Sequence, residues 1–242
     1  MRLNKYLIEA NDKISAKDLF TDIKKKCKPY LSLLKGKEPL YRGIHDTSDA
    51  KTTLALYDKF GNPIEKPNNS DIGAGIGYGI KKTHKDRKPK GSGDVDFKLL
   101  NKWLAGNGHA RRDQSISVTA DKVTADFFGS NSWVFPIGNF NYSWVKSPDM
   151  NHKNAKEGYY VGHFYPDEPS IWDFLRAYYG SGIMDSQTKK GDLANFITTN
   201  KGFNEARKKG YEIWFDCKEY YYILVMSNEG YNYKWKELSN II

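Results

Sequence analysis

Only two cysteines, Cys27 and Cys217, occur in 242 residues, and they lie far apart. That excludes a disulfide framework and a cysteine-built structural zinc site, and it fits a reducing compartment. Histidine is also sparse, five in all, with no metal-binding spacing such as HExxH. No metal is therefore expected. No apolar run approaches membrane-spanning length, so no transmembrane helix and no membrane association are expected. The opening MRLNKYLIEANDK is too short in its apolar stretch, and too broken by charge, for a secretory signal. Internal repeats, low-complexity tails and a GxSxG nucleophile elbow are lacking. The run GAGIGYG, with Gly73, Gly75, Gly77 and Gly79, does not have the spacing of a phosphate loop or a dinucleotide fingerprint. It reads as a flexible loop, suited to a lid over a cleft.

What is present points to a globular chain. Hydrophobic residues make up 39% and aromatic residues 14%, which is not a disordered composition. The length suits one domain or a compact pair and is enough to bury a core. The expected organisation is a single domain over 1–242, with an N-terminal helical region (1–36) beside a core (37–242). The net charge of +9 suits an anionic dinucleotide, an acidic protein or nucleic acid. Lys and Arg are spread along the whole chain, which favours a solvated basic surface over a dedicated nucleic-acid groove.

Periodicity predicts an amphipathic helix over 15–34, with Leu19, Ile23, Cys27, Tyr30, Leu31 and Leu34 on one face. Ser15 and Asp18 form a shortened capping box, and Pro29 predicts a kink or a break into two helices. A strand is expected over 39–44. Residues 45–96 read as the longest loop-like region, apart from a short segment at 53–57. Helices are expected over 97–104, 122–128 and 170–179, with one or two more in 192–209. Strands are expected over 115–119, 133–137, 140–145, 211–215 and 220–226. Strands and helices mix without a βαβ rhythm, so the class is α+β.

Three segments carry candidate chemistry. One is the arginine strand LYRG with Arg42 and Gly43. The second is SISVTADKVTADFFG, which holds Ser117, Thr119 and Phe128 on a strand running into a short helix. The third is GYEIWF, in which Glu212 opens an apolar aromatic strand. Taken singly, each is an ordinary structural feature: a strand end with a solvated arginine, a half-exposed edge strand, a surface charge. In this order and context they resemble the ADP-ribosyltransferases of the arginine–serine–glutamate type. They are most similar to predicted ADP-ribosyltransferases of tailed bacteriophages, which share the YRG opening, a phrase like WVFPIGNF and an ending like EIWFDCKEYY.

The resemblance implies a split antiparallel β-sandwich with flanking helices, NAD as co-substrate, and transfer of ADP-ribose to a macromolecular acceptor. That acceptor is foremost a host protein, in the cytoplasm of a bacterial host. Glu212, Arg42 and Ser117 are the implied catalytic set. Arginine offers planar, multiple donors to a pyrophosphate, and Gly43 lets backbone approach the nicotinamide amide. A fixed carboxylate at Glu212 stabilises oxocarbenium-like charge. Ser117 would orient that carboxylate, Thr119 would assist it or cap the next helix, and Phe128 would stack near nicotinamide. Arg87, in the basic run KDRKPK, is a further candidate phosphate ligand. Many relatives carry Glu or Gln two residues before the catalytic glutamate, where this chain has Gly210, so the acceptor stays open. Water, as in an NAD glycohydrolase, nucleic acid, and a non-enzymatic binding module on a decayed fold are the rivals.

Overall fold

The computed structural model describes residues 13–58, 62–66, 73–85, 94–145, 197–226 and 234–236. Helix α1 (Ala16–Lys26) begins where Ser15 Oγ accepts the Asp18 N–H at 3.1 Å. Asp18 in its first turn and Lys24, Lys25 and Lys26 in its last complement the helix dipole. Leu19, Phe20 and Ile23 are its buried face. The helix ends at Cys27 and α2 (Lys28–Leu34) follows, with Pro29 in the first turn. There the missing N–H would have had no intrahelical partner. Of the kink or break expected here, the break occurs, just ahead of the proline.

The first strands are β1 (Tyr41–Ile44), β2 (Lys51–Thr52), β3 (Tyr57–Asp58), β4 (Gly73–Ala74) and β5 (Gly77–Lys82). Helix α3 (Asp94–Gly106), a 3-10 turn (Arg112–Gln114), β6 (Ile116–Val118) and α4 (Lys122–Asp126) come next. Then follow β7 (Ser130–Pro136), β8 (Asn141–Val145), β9 (Ile197–Thr199), α5 (Phe203–Lys209), β10 (Ile213–Asp216) and β11 (Glu219–Leu224). The class is α+β, with two larger antiparallel sheets. No helix among the described residues is long and apolar enough to cross a membrane.

The chain divides into two compact units. The first takes Met1–Lys82, Ala125–Asn139 and Glu219–Ile242; the second takes Thr83–Thr124 and Phe140–Lys218. In the first, the five-stranded sheet runs β1-β7-β11-β5-β2, and β3 pairs with β4 separately. Its core is aromatic. Tyr30 meets Phe135 edge-on at 6.0 Å, and Trp235 packs against Phe20, Trp133 and Phe135. In the second unit the order is β6-β10-β8-β9. Phe140 and Phe203 both pack on Phe215, and Trp144 stacks on Tyr211 at 5.8 Å.

Two expectations need correction. GAGIGYG is not a lid: it forms β4, a connecting pair and the start of β5, within the sheets of the first unit. Its glycines answer to close packing. A Cβ at Gly79 would lie 2.5 Å from the Tyr222 ring, at Gly77 2.7 Å from Leu224, and at Gly75 2.4 Å from the Thr53 carbonyl oxygen. The stretch 192–209, expected to hold one or two helices, carries a strand as well as a helix. Ile197–Thr199 pairs with β8, as its β-branched side chains favour, and only α5 is helical among the described residues there. The helix expected over 170–179 lies outside the described residues.

Candidate active site

The residues singled out in the sequence fall into two groups, one in each unit. In the second unit, β10 pairs with β6 so that Trp214 stands opposite Ser117 and Ile213 opposite Val118. The ladder to β8 extends one step beyond the strand, with Val145 N–H donating to the Glu212 carbonyl at 3.2 Å. Glu212 and Trp214, two positions apart, therefore share a face of the sheet. Glu212 is only 5% exposed. A buried carboxylate requires partners, and it has them. Its Oε1 accepts from Arg112 Nη2 at 3.1 Å and from Trp214 Nε1 at 2.8 Å. The Arg112 guanidinium lies 5.5 Å from the centre of the Trp214 ring.

Thr119 is buried, and its hydroxyl ties two segments together. It donates to the Gly210 carbonyl at 3.0 Å and accepts the Asp121 N–H at 3.0 Å. Capping of α4 falls instead to Asp121, whose Oδ1 accepts the Val123 N–H at 3.0 Å. Gly210 closes α5 in the left-handed region, φ +68, with its N–H bonded to the Arg207 carbonyl. The glycine two positions before Glu212 is thus what ends the helix and turns the chain into β10. Ser117 is half-buried.

In the first unit, β1 pairs with β7, setting Arg42 opposite Ser132 and Gly43 opposite Asn131. Arg42 is half-buried, as is Phe128. Gly43 sits hard against the turn that follows α4. A Cβ there would be 2.4 Å from the Ala125 carbonyl oxygen and 2.4 Å from the Phe128 carbonyl carbon. Backbone packing alone therefore demands glycine at 43. Arg87 lies outside the described residues.

Arg112 is the residue that reading the sequence missed. In the run Arg111, Arg112, Asp113 it looks like surface charge. Arg111 does pair with Asp113, two positions on, while Arg112 is turned inward. The only linear signal was its place just ahead of the Ser117 strand. Asp216, at the far end of β10, is pushed by burial above the usual carboxylate range, with nearby Arg111 pulling back.

No family model, curated protein or solved structure matches this chain.

The arrangement in the second unit is a fixed, buried carboxylate with hydroxyl-bearing residues on the neighbouring strand. Such a group can stabilise positive charge developing on a bound molecule without reorganising at the moment of reaction.

Proposed function

We propose that this chain is an NAD-dependent mono-ADP-ribosyltransferase with an ADP-ribosyltransferase-type fold. The reaction breaks the bond between ribose C1′ and the nicotinamide nitrogen. The bonding pair leaves with nicotinamide, which becomes neutral, and positive charge appears on C1′ and the ring oxygen. A nucleophile of the acceptor then bonds to C1′ and releases its proton to solvent. Glu212 stabilises the charged ribose, Ser117 belongs to the strand that supports it, and Arg42 recognises the dinucleotide's phosphates. NAD is the co-substrate, and the acceptor is a macromolecule, foremost a host protein in a bacterial cytoplasm. The observation that carries the reading is Glu212: a carboxylate buried at a strand start, held by two donors, beside the Ser117 strand.

One observation favours a second reading. Gly210 offers no side chain that could activate an acceptor, and water, needing the least positioning, would make the protein an NAD glycohydrolase. The charge of +9 also admits nucleic acid as acceptor.

The test is nicotinamide release from NAD by wild type and Glu212→Gln, with and without bacterial lysate. Loss of the charge-stabilising carboxylate is expected to lower release by about a hundredfold to a thousandfold. Release that rises with lysate and labels a protein supports the transferase, and labelled RNA or DNA would name nucleic acid instead. Glu212-dependent release with no labelled acceptor supports the glycohydrolase. A folded protein that releases nothing under any condition would sink both and leave a binding module.

A further inference from the structure

We infer that Arg112 is the positioning residue for Glu212, holding its carboxylate in a single orientation for the reaction; this rests on the reading of Glu212 as the charge-stabilising group. Four observations carry it. The ion pair is nearly enclosed, with the two side chains 10% and 6% exposed. Arg112 and Trp214 donate to the same oxygen, Oε1, from different segments of the chain, so the carboxylate is gripped from two directions. The guanidinium also lies 5.5 Å from the centre of the Trp214 ring, within cation–π range, so Arg112 meets both Glu212 and its second donor.

The turn that carries Arg112 is tied at both ends. Ala110 N–H donates to Ser143 Oγ at 2.8 Å, and Asp113 N–H donates to Asn101 Oδ1 at 3.2 Å. Ser143 is fully buried on β8, and Asn101 is 5% exposed on α3. Arg112 is therefore presented to Glu212 by β8 and α3 rather than by a swinging loop. Neighbouring Arg111 is the contrast: it pairs with the next residue but one and is 35% exposed.

A buried ion pair is seldom the most stable way to fill a core, since apolar residues of similar volume often serve as well or better. A site that must hold one carboxylate still has a use for it. The planar fork of arginine can lie on the indole and donate to Oε1 together; a lysine ammonium is a point charge and does this poorly.

The test uses full-length wild type, Arg112→Lys, Arg112→Met, Glu212→Gln and the double variant Arg112→Met/Glu212→Gln, each checked for cooperative unfolding. The first readout needs no activity. The Trp214 indole N–H resonance, assigned with Trp214→Phe, is expected to move and exchange faster in Arg112→Lys, in the direction Glu212→Gln moves it. An indole signal identical to wild type in Arg112→Lys overturns the inference. The second readout is steady-state nicotinamide release. Lysine is expected to lower kcat by about tenfold to a hundredfold with KM for NAD changed less than about twofold, and methionine to lower it further. In the Glu212→Gln background, loss of Arg112 should add little, because it acts through the missing carboxylate. An unchanged or raised kcat in Arg112→Lys, or full additivity in the double variant, also overturns it. A wild type that releases no nicotinamide removes the transferase reading, and the indole signal then decides the role of Arg112 alone. If Arg112→Met fails to fold, Arg112→Lys and the double variant, which removes both charges together, still decide.

Discussion

His109 shows how burial changes what a titratable side chain does. Its ring stacks on Trp103 at 5.0 Å, and its Nδ1 is in hydrogen-bond contact with Thr199 Oγ1, which contacts Ser143 Oγ at 2.6 Å. Burial pushes its pKa below the ordinary 6.5. The unfolded chain therefore binds a proton on His109 at a higher pH than the folded one does. Its contribution to stability is complete above 6.5 and is lost as pH falls through the lower folded value. Wild type should lose more of its thermal midpoint than His109→Gln between roughly pH 7.5 and roughly pH 5. Equal losses in the two proteins would show that His109 is not the group concerned. Because the added methyl of Gly43→Ala meets backbone rather than a movable side chain, the variant should lose about 3 kcal/mol, the upper range for overpacking. Chemical denaturation would read this directly; a loss under about 0.5 kcal/mol would mean that β1 and the turn after α4 are not so tightly apposed.

Helix termini illustrate where linear signals are most dependable. Ser15 was recognisable as a cap from its place before an apolar period, and it accepts the Asp18 N–H as expected. The geometry differs in one respect: Ser15 Oγ also donates to Asp18 Oδ2 at 2.6 Å, so the aspartate meets the hydroxyl. Aspartate is one methylene shorter than the glutamate of a full capping box. Ser15→Ala is expected to destabilise the protein by about 1 kcal/mol, seen as a lower denaturation midpoint with an unchanged slope. Strands were less legible. β2, β3 and β4 have two residues each, too few to display a period of two. In β5 the glycines conceal a strand, because their function is to admit Tyr222 and Leu224 rather than to pack side chains of their own.

At the scale of the whole molecule, the two units are interleaved in sequence. The chain leaves the first unit after Lys82, returns at Ala125, leaves again after Asn139 and returns at Glu219. Neither unit is a continuous piece that could be cut out. Long sequence separations between pairing strands, as between β5 and β11, also favour slow folding. β11 shows the consequence most sharply, since it lies between β7 and β5 and pairs with both. A chain ending at Lys218 should lose the cooperative unfolding transition of the first unit, with its near-ultraviolet aromatic signal and slow amide exchange. Retention of protected amides in β5 and β7 would count against this topology.

The residues alone carried the α+β class, a kink or break at Pro29 and the apolar aromatic strands around Glu212, because these rest on local periodicity, capping and propensity. It also marked Ser117 and Glu212 as residues to watch. The pairing of their strands, with Trp214 opposite Ser117, came only from the tertiary structure, because register is set by contacts between segments nearly a hundred residues apart. The same holds for Arg112. Nothing in the run around it distinguishes an inward arginine from an outward one. The turn tied to Ser143 and Asn101 decides it by carrying the guanidinium onto Trp214 and against Glu212.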